Sequence, residues 1–157
     1  MSDAATQSSP PSVYLCVSDA ADAIAFYAKA FGAEESFRLN TPDGSKIVHA
    51  NMTLNGGQIM LSDDFPEWNG GQSRHPLALG ATPVTIHLQV PDVDAAFARA
   101  VEAGCTVVMP LADQFWGDRY GKVKDPFGHE WSLATTKSTP SREEMEDAMK
   151  RFFGNCS

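Results

Sequence analysis

The chain has 157 residues, 43% of them hydrophobic and 20% charged, with a formal net charge of −8. These proportions suit one globular unit long enough to bury a core, and they disfavour nucleic acid and anionic membranes as partners, since both are bound through basic patches. No apolar run approaches the roughly 20 residues that a membrane-spanning helix needs.

The opening "MSDAATQSSPPS" has neither the basic nor the apolar region of a secretory signal. Residues 1–11 therefore read as a disordered tail, and a cytoplasmic setting is expected. Cys16, Cys105 and Cys156 are odd in number and unrelated in spacing. They form neither a disulfide framework nor a CxxC zinc motif, so Cys16 and Cys105 read as small packed hydrophobes.

An internal repeat organises the rest of the chain. "VYLCVSDAADAIAFYAKAFGAE" (13–34) and "IHLQVPDVDAAFARAVEAGC" (86–105) each give a short alternating strand, an aspartate, and a helix closing near Gly32 or Gly104. Asp19 and Asp92 stand 73 residues apart in N-cap positions. Ala23, Ile24, Tyr27 and Phe31 make one helical apolar face, and Val93, Ala96, Phe97, Ala100 and Val101 make its counterpart. "GGQIMLSD" (56–63) and "GHEWSLAT" (128–135) repeat as last strands, with Leu61 and Leu133 equivalent. Each ends a hairpin, one around Asn55-Gly56 and one around Pro126-Phe127-Gly128. The chain then divides into modules of about 12–63 and 84–135, a Gly/Pro-rich linker over 64–83, and a capped amphipathic helix over 140–154. In that helix Ser141 and Glu144 form a capping box, Met145, Ala148, Met149 and Phe152 form the apolar stripe, and Gly154 is the stop.

Strand alternation separates an aliphatic face from a polar, weakly charged one. Val13, Leu15, Val17, Ile86, Leu88, Val90, Ile59, Leu61, Trp131 and Leu133 must meet the helices. The other face carries Tyr14, His49, Asn51, Met60, Thr85, His87 and Ser132, a composition suited to a small-molecule cup. "QFWGDRYG" enters the second module's third strand at the mouth of that cup. Gly117 and Gly121 read as tight turns, and Tyr120 and Lys122 point with the polar face. Phe115 and Trp116 offer an aromatic wall for a ligand or a cover for the hairpin. Arg119 pairs with Asp118 or Asp125, or meets an anionic ligand group.

The segments "AIAFYAKAFGA", "HANMTL", "IMLSDD" and "FWGDRYGKVKDPFGHEWSLAT" resemble the vicinal oxygen chelate superfamily of glyoxalases, extradiol dioxygenases and bleomycin-resistance proteins, and within it the PhnB-like subgroup. The resemblance covers about residues 12–135. It implies an α+β fold of two βαβββ modules forming a cupped, eight-stranded mixed sheet with helices on the convex face, usually completed in a homodimer. Metal-dependent members draw ligands from positions that correspond here to Ser12, Met60, Thr85 and Ser132. Three hydroxyls and a thioether do not hold a divalent ion tightly, so no cofactor is expected.

Three functions remain open. One is a small-molecule-binding or sequestering protein, as the resistance proteins of the superfamily suggest. Another is an enzyme: a metal-dependent lyase, isomerase or dioxygenase with ligands relocated around His87, His49 and Asp63 or Glu130, or a metal-free acid/base catalyst using His87. The third is an inert structural or interaction module. His129 reads as structural, and His75 carries no signal.

Overall fold

In the computed structural model, residues 8–155 are described; residues 1–7 of the tail expected over residues 1–11, and Cys156, lie outside them. Residues 8–12 precede the first strand without regular structure. The first module runs β1 (Val13–Val17), α1 (Ala20–Phe31), β2 (Glu34–Asn40), β3 (Ile47–Leu54) and β4 (Gly57–Asp63). A linker follows, carrying a 3-10 turn at Pro66–Trp68 and the short helix α2 (Pro76–Leu79). The second module repeats the plan as β5 (Thr85–Gln89), α3 (Val93–Ala103), β6 (Thr106–Asp113), β7 (Asp118–Lys124) and β8 (Glu130–Thr136), and α4 (Arg142–Gly154) ends the fold.

Local chemistry explains these boundaries. The Asp19 carboxylate accepts the Asp22 N–H at 3.0 Å and the Asp92 carboxylate accepts the Ala95 N–H at 3.1 Å, so each helix starts where a first-turn donor is satisfied. Asn55 and Gly56 take φ values of 50° and 75°, the paired left-handed conformation that a two-residue hairpin needs. The capping box of Ser141 and Glu144 is formed at α4. That helix runs through Gly154 rather than stopping at it, with Asn155 as its C-cap.

The eight strands form two four-stranded mixed sheets, in the orders β1-β4-β3-β2 and β5-β8-β7-β6. In each, the first strand runs parallel to the last and the other pairings are antiparallel. Within the chain no ladder joins β1 to β5. Instead the aliphatic faces of both sheets enter one core with α1 and α3, which pack on each other. Leu15, Val17, Leu61, Leu88, Val123, Trp131 and Leu133 are all buried there. The second-module helix face is narrower than its pattern suggests: Val93, Phe97 and Ala100 are buried, while Val101 is 38% exposed.

Because the apolar faces share this core, the polar faces of the two sheets point away from it. The chain thus presents two half-cups on separate sheets, one per module. Gly121 is a β7 residue rather than a turn. A side chain there would meet the Phe97 ring at 2.7 Å, so glycine permits α3 to lie close on the strand.

Candidate functional site

The first half-cup is built from β1, β3 and β4. Tyr14, Met60 and Asn51 stand side by side across the three strands, Tyr14 opposite Met60 and Met60 opposite Asn51. The Tyr14 hydroxyl lies 2.8 Å from His49 Nδ1, and His49 Nε2 lies 2.9 Å from Asn51 Oδ1. An amide oxygen only accepts, so Nε2 carries the proton and Nδ1 accepts from Tyr14. The rings of Tyr14 and Phe37 sit 5.4 and 6.1 Å from the His49 ring. Tyr14 is 50% exposed and Phe37 48% exposed, so this wall is open. Sequence alone does not single out Phe37, since a bulge between Glu35 and Phe37 breaks the alternation of β2.

The second half-cup repeats the theme with its partners exchanged. His87 is the β5 counterpart of Tyr14, and Tyr120 on β7 stands where His49 stands on β3. The two rings stack at 6.2 Å with an interplanar angle of 14°. His87 Nδ1 lies 2.8 Å from the Ser132 hydroxyl, and His87 Nε2 lies 2.9 Å from Gln89 Oε1. The Gln89 amide nitrogen donates to Thr136 Oγ1 at 2.7 Å, and the Thr136 hydroxyl donates to Asp118 Oδ1 at 2.9 Å. The Trp116 indole N–H donates to Asp118 Oδ2 at 3.2 Å. This series of bonds leaves Gln89 Oε1 to accept from His87 Nε2–H, so His87 Nδ1 accepts from Ser132. Beside it, Lys122 pairs with Glu130 at 2.9 Å, and Thr85 lies opposite Glu130 in the parallel ladder. Thr136 is not evident in the sequence, and although alternation places Gln89 on the polar face and Asp118 stands in the aromatic loop, the bonds that link them to His87 and Trp116 carry no signal until the fold is known.

The aromatic loop sits as expected at the end of β6. Trp116 is edge-on to Tyr120 at 5.6 Å, and Phe115 is edge-on to Trp116 at 5.2 Å. Phe115 also faces α4, lining a cleft of about 510 Å³ with Arg142, Met145, Glu146, Met149 and Lys150. Gly117, at φ 103°, accepts the N–H groups of Lys137 and Ser138 at its carbonyl, which fixes the chain after β8 to this loop.

Arg119 does not join the site. It alternates with Tyr120 and so lies on the helix-bearing face, where Nε and Nη2 reach the Asp94 carboxylate at 2.9–3.0 Å and Nη1 reaches Asp113 at 3.3 Å. Neither Asp118 nor Asp125 is its partner. Hydrogen bonding to Arg119 holds the Asp94 carboxyl below its ordinary value.

The grouping of His87, His49 and Asp63 or Glu130 is also not formed within the chain. His49 and His87 lie on different sheets. Asp63 is committed to the backbone N–H groups of Ala20 and Ile47, at 2.8 and 2.7 Å, and Glu130 to Lys122. Of the four family ligand positions, Ser12 precedes β1, Met60 is in the first half-cup, and Thr85 and Ser132 are in the second. Among the described residues no three of His, Cys, Asp and Glu converge as a metal-binding group. His129 Nε2 donates to the Cys16 carbonyl at 2.9 Å, a structural role as expected.

The comparisons agree with this architecture. TioX from Micromonospora sp. ML1 is 30% identical, with a TM-score of 0.63 over 82% of this chain and 99% of that one. The PhnB protein from Bacillus cereus, at 18% identity and a TM-score of 0.62, shares the fold over 82% of this chain and all of its own. An uncharacterized protein of Mycobacterium bovis, Mb0911c, is 55% identical over 138 residues, 88% of this chain and 90% of its own. The model of the Glyoxalase/Bleomycin resistance protein/Dioxygenase superfamily matches residues 9–133, and the chain belongs to that superfamily.

Proposed function

We propose that the protein binds a small, planar, largely apolar molecule without a tightly held metal, in a cup that a homodimer completes within the cytoplasm. The supporting observation is that many of the polar groups in both half-cups, including both imidazoles, are hydrogen-bonded to one another. Tyr14, His49 and Asn51 satisfy each other in one wall, and Ser132, His87, Gln89, Thr136, Asp118 and Trp116 do so in the other. What remains for a ligand is mainly ring faces: Tyr14, Phe37 and His49 opposite His87, Tyr120 and Trp116. Such surfaces favour flat, polarizable molecules over strongly hydrogen-bonding ones.

The donor set does not fit the divalent metal of other superfamily members. Both imidazoles accept a hydroxyl proton at Nδ1 and donate from Nε2, so neither offers a lone pair without breaking a bond. Each half-cup is also a single open wall backed by the common core, so a second protomer is needed to place the opposite wall. Cys16 and Cys105 are free thiols, as a reducing compartment requires.

The test is a tryptophan-quenching titration with naphthalene and acridine dyes, beside elemental analysis of the same sample. Saturable binding that Tyr120→Ala weakens by about tenfold, the loss of one ring contact worth about 1.4 kcal/mol, is the expected result. Arg119→Ala should leave it unchanged. One equivalent of metal per subunit, removed by His87→Ala, would instead establish the relocated metal enzyme. Indifference to every dye would favour an inert module.

A further inference from the structure

The two modules are equivalent strand by strand, and the second half-cup departs from the first in its charges. Lys122 stands opposite Ser132 and Lys124 opposite Glu130, where the first module pairs Asn51 with Met60 and Thr53 with Gln58. Lys122, Lys124 and Glu130 thus occupy the places of the uncharged Asn51, Thr53 and Gln58. Val123, between the lysines, is fully buried in the core, so alternation turns both lysines to the face that carries Tyr120.

These charges do not balance. The Glu130 carboxylate leans away from Lys124, its direct neighbour across the ladder, and meets the Lys122 ammonium at 2.9 Å. Lys124 Nζ is left 3.9 Å from the other carboxylate oxygen, beyond hydrogen-bond distance. One carboxylate serves two cations, and this end of β7 keeps a net positive charge in a chain whose net charge is −8. The opposite end of β7 carries the opposite sign. Asp118, the first residue of the strand, accepts there from Trp116 and Thr136. Between the two ends lie the stacked rings of His87 and Tyr120. Tyr120 and Lys122 are successive residues of one strand face, roughly 7 Å apart along β7.

We propose that the end of the second half-cup formed by Lys122 and Lys124 is a carboxylate subsite, and that the ligand class is a planar aromatic carboxylate. The ring lies on His87 and Tyr120, and the carboxylate at its edge accepts from the two ammonium groups. Each ammonium has three donors, of which Glu130 takes one from Lys122, and a bond between two charged groups is stronger than one between neutral groups. Thr85, opposite Glu130 in the ladder, places a hydroxyl at the same end. The Asp118 charge repels a carboxylate from the other end, which gives the ligand one orientation. This rests on the ring-face binding proposed above and adds the group that decides which planar molecule is taken.

Isothermal titration calorimetry with 2-naphthoate and its neutral isostere 2-naphthamide tests the subsite. The protein should bind naphthoate about tenfold more tightly than naphthamide, with a preference that shrinks as salt is raised. Lys124→Met should remove most of that preference by weakening naphthoate far more than naphthamide, and Glu130→Gln should widen it. Opposite signs for these two variants are not expected of residues that only support the sheet, whose loss would weaken both compounds together. Equal affinities for the two compounds, or parallel losses in both variants, overturn the subsite and leave ring-face binding standing. If neither compound binds, the proposed binding function fails and the subsite fails with it.

Discussion

The Asp125 carboxylate accepts four hydrogen bonds in the core. The Tyr27 hydroxyl donates at 2.8 Å, the Trp131 indole N–H at 2.9 Å, and the N–H groups of Phe127 and His129 at 2.9 and 3.0 Å. Tyr27 belongs to the first module and Trp131 to the second, so this single side chain joins them. "DPFG" reads as a turn in sequence, and a turn it is, but its aspartate is only 4% exposed. Asp125→Ala would strand four buried donors and should cost about 3–5 kcal/mol in urea unfolding. Tyr27→Phe removes one bond and should cost about 1–2 kcal/mol. Burial, reinforced by the Asp125 charge, raises the Tyr27 hydroxyl well above 10.0. Burial likewise pushes the Cys105 thiol up to about 12, with Asp125 adding to it, and the Cys16 thiol up to about 11, with Asp64 adding to it. A raised folded-state value means the native state holds these protons more tightly. Their contribution is complete below the ordinary thiol value of 9.0 and is lost as pH climbs through about 11 and 12. Urea midpoints should therefore fall above that value, and both thiols should react slowly with alkylating reagents at neutral pH.

At the scale of elements, the parts with strong local signals are legible in the sequence. The two N-cap aspartates, the Asn55-Gly56 hairpin and the capping box of α4 each satisfy specific backbone groups, and such chemistry is written in adjacent residues. For β2 and β6 the sequence supports little beyond their number, because both carry register shifts in their pairing and their side chains do not alternate cleanly. Gly121 misleads for a related reason. In sequence a glycine suggests a turn, whereas here the helix above it leaves no room for a side chain. Gly121→Ala should therefore overpack against Phe97 and Leu111, costing about 1–3 kcal/mol and lowering the thermal midpoint.

At the scale of the whole molecule, the modules meet through their helices. Arg99 on α3 donates from Nε to the Lys29 carbonyl at 2.7 Å and from Nη2 to the Ala28 carbonyl at 3.2 Å, placing a cation at the C-terminal end of α1. The helices thus turn inward while both half-cups face outward and apart. The dimer proposed above would link folding to association. The thermal midpoint should rise with protein concentration, and an unchanged midpoint over a hundredfold range would mean that the chain is stable alone.

The repeat and strand alternation determined by themselves that the chain holds two modules, each a strand, a helix and further strands, and which residues share a polar face; the βαβββ arrangement was what the family resemblance implied. They could do so because a strand has a period of two and a helix a period near 3.6 whatever surrounds them. Which polar residues meet was decided only by tertiary structure. Arg119 reaches Asp94 across 25 positions, His87 meets Ser132 across 45, and His49 and His87 stand on separate sheets. Hydrogen bonds of that kind depend on how α1 and α3 pack between the sheets, and no local pattern encodes it.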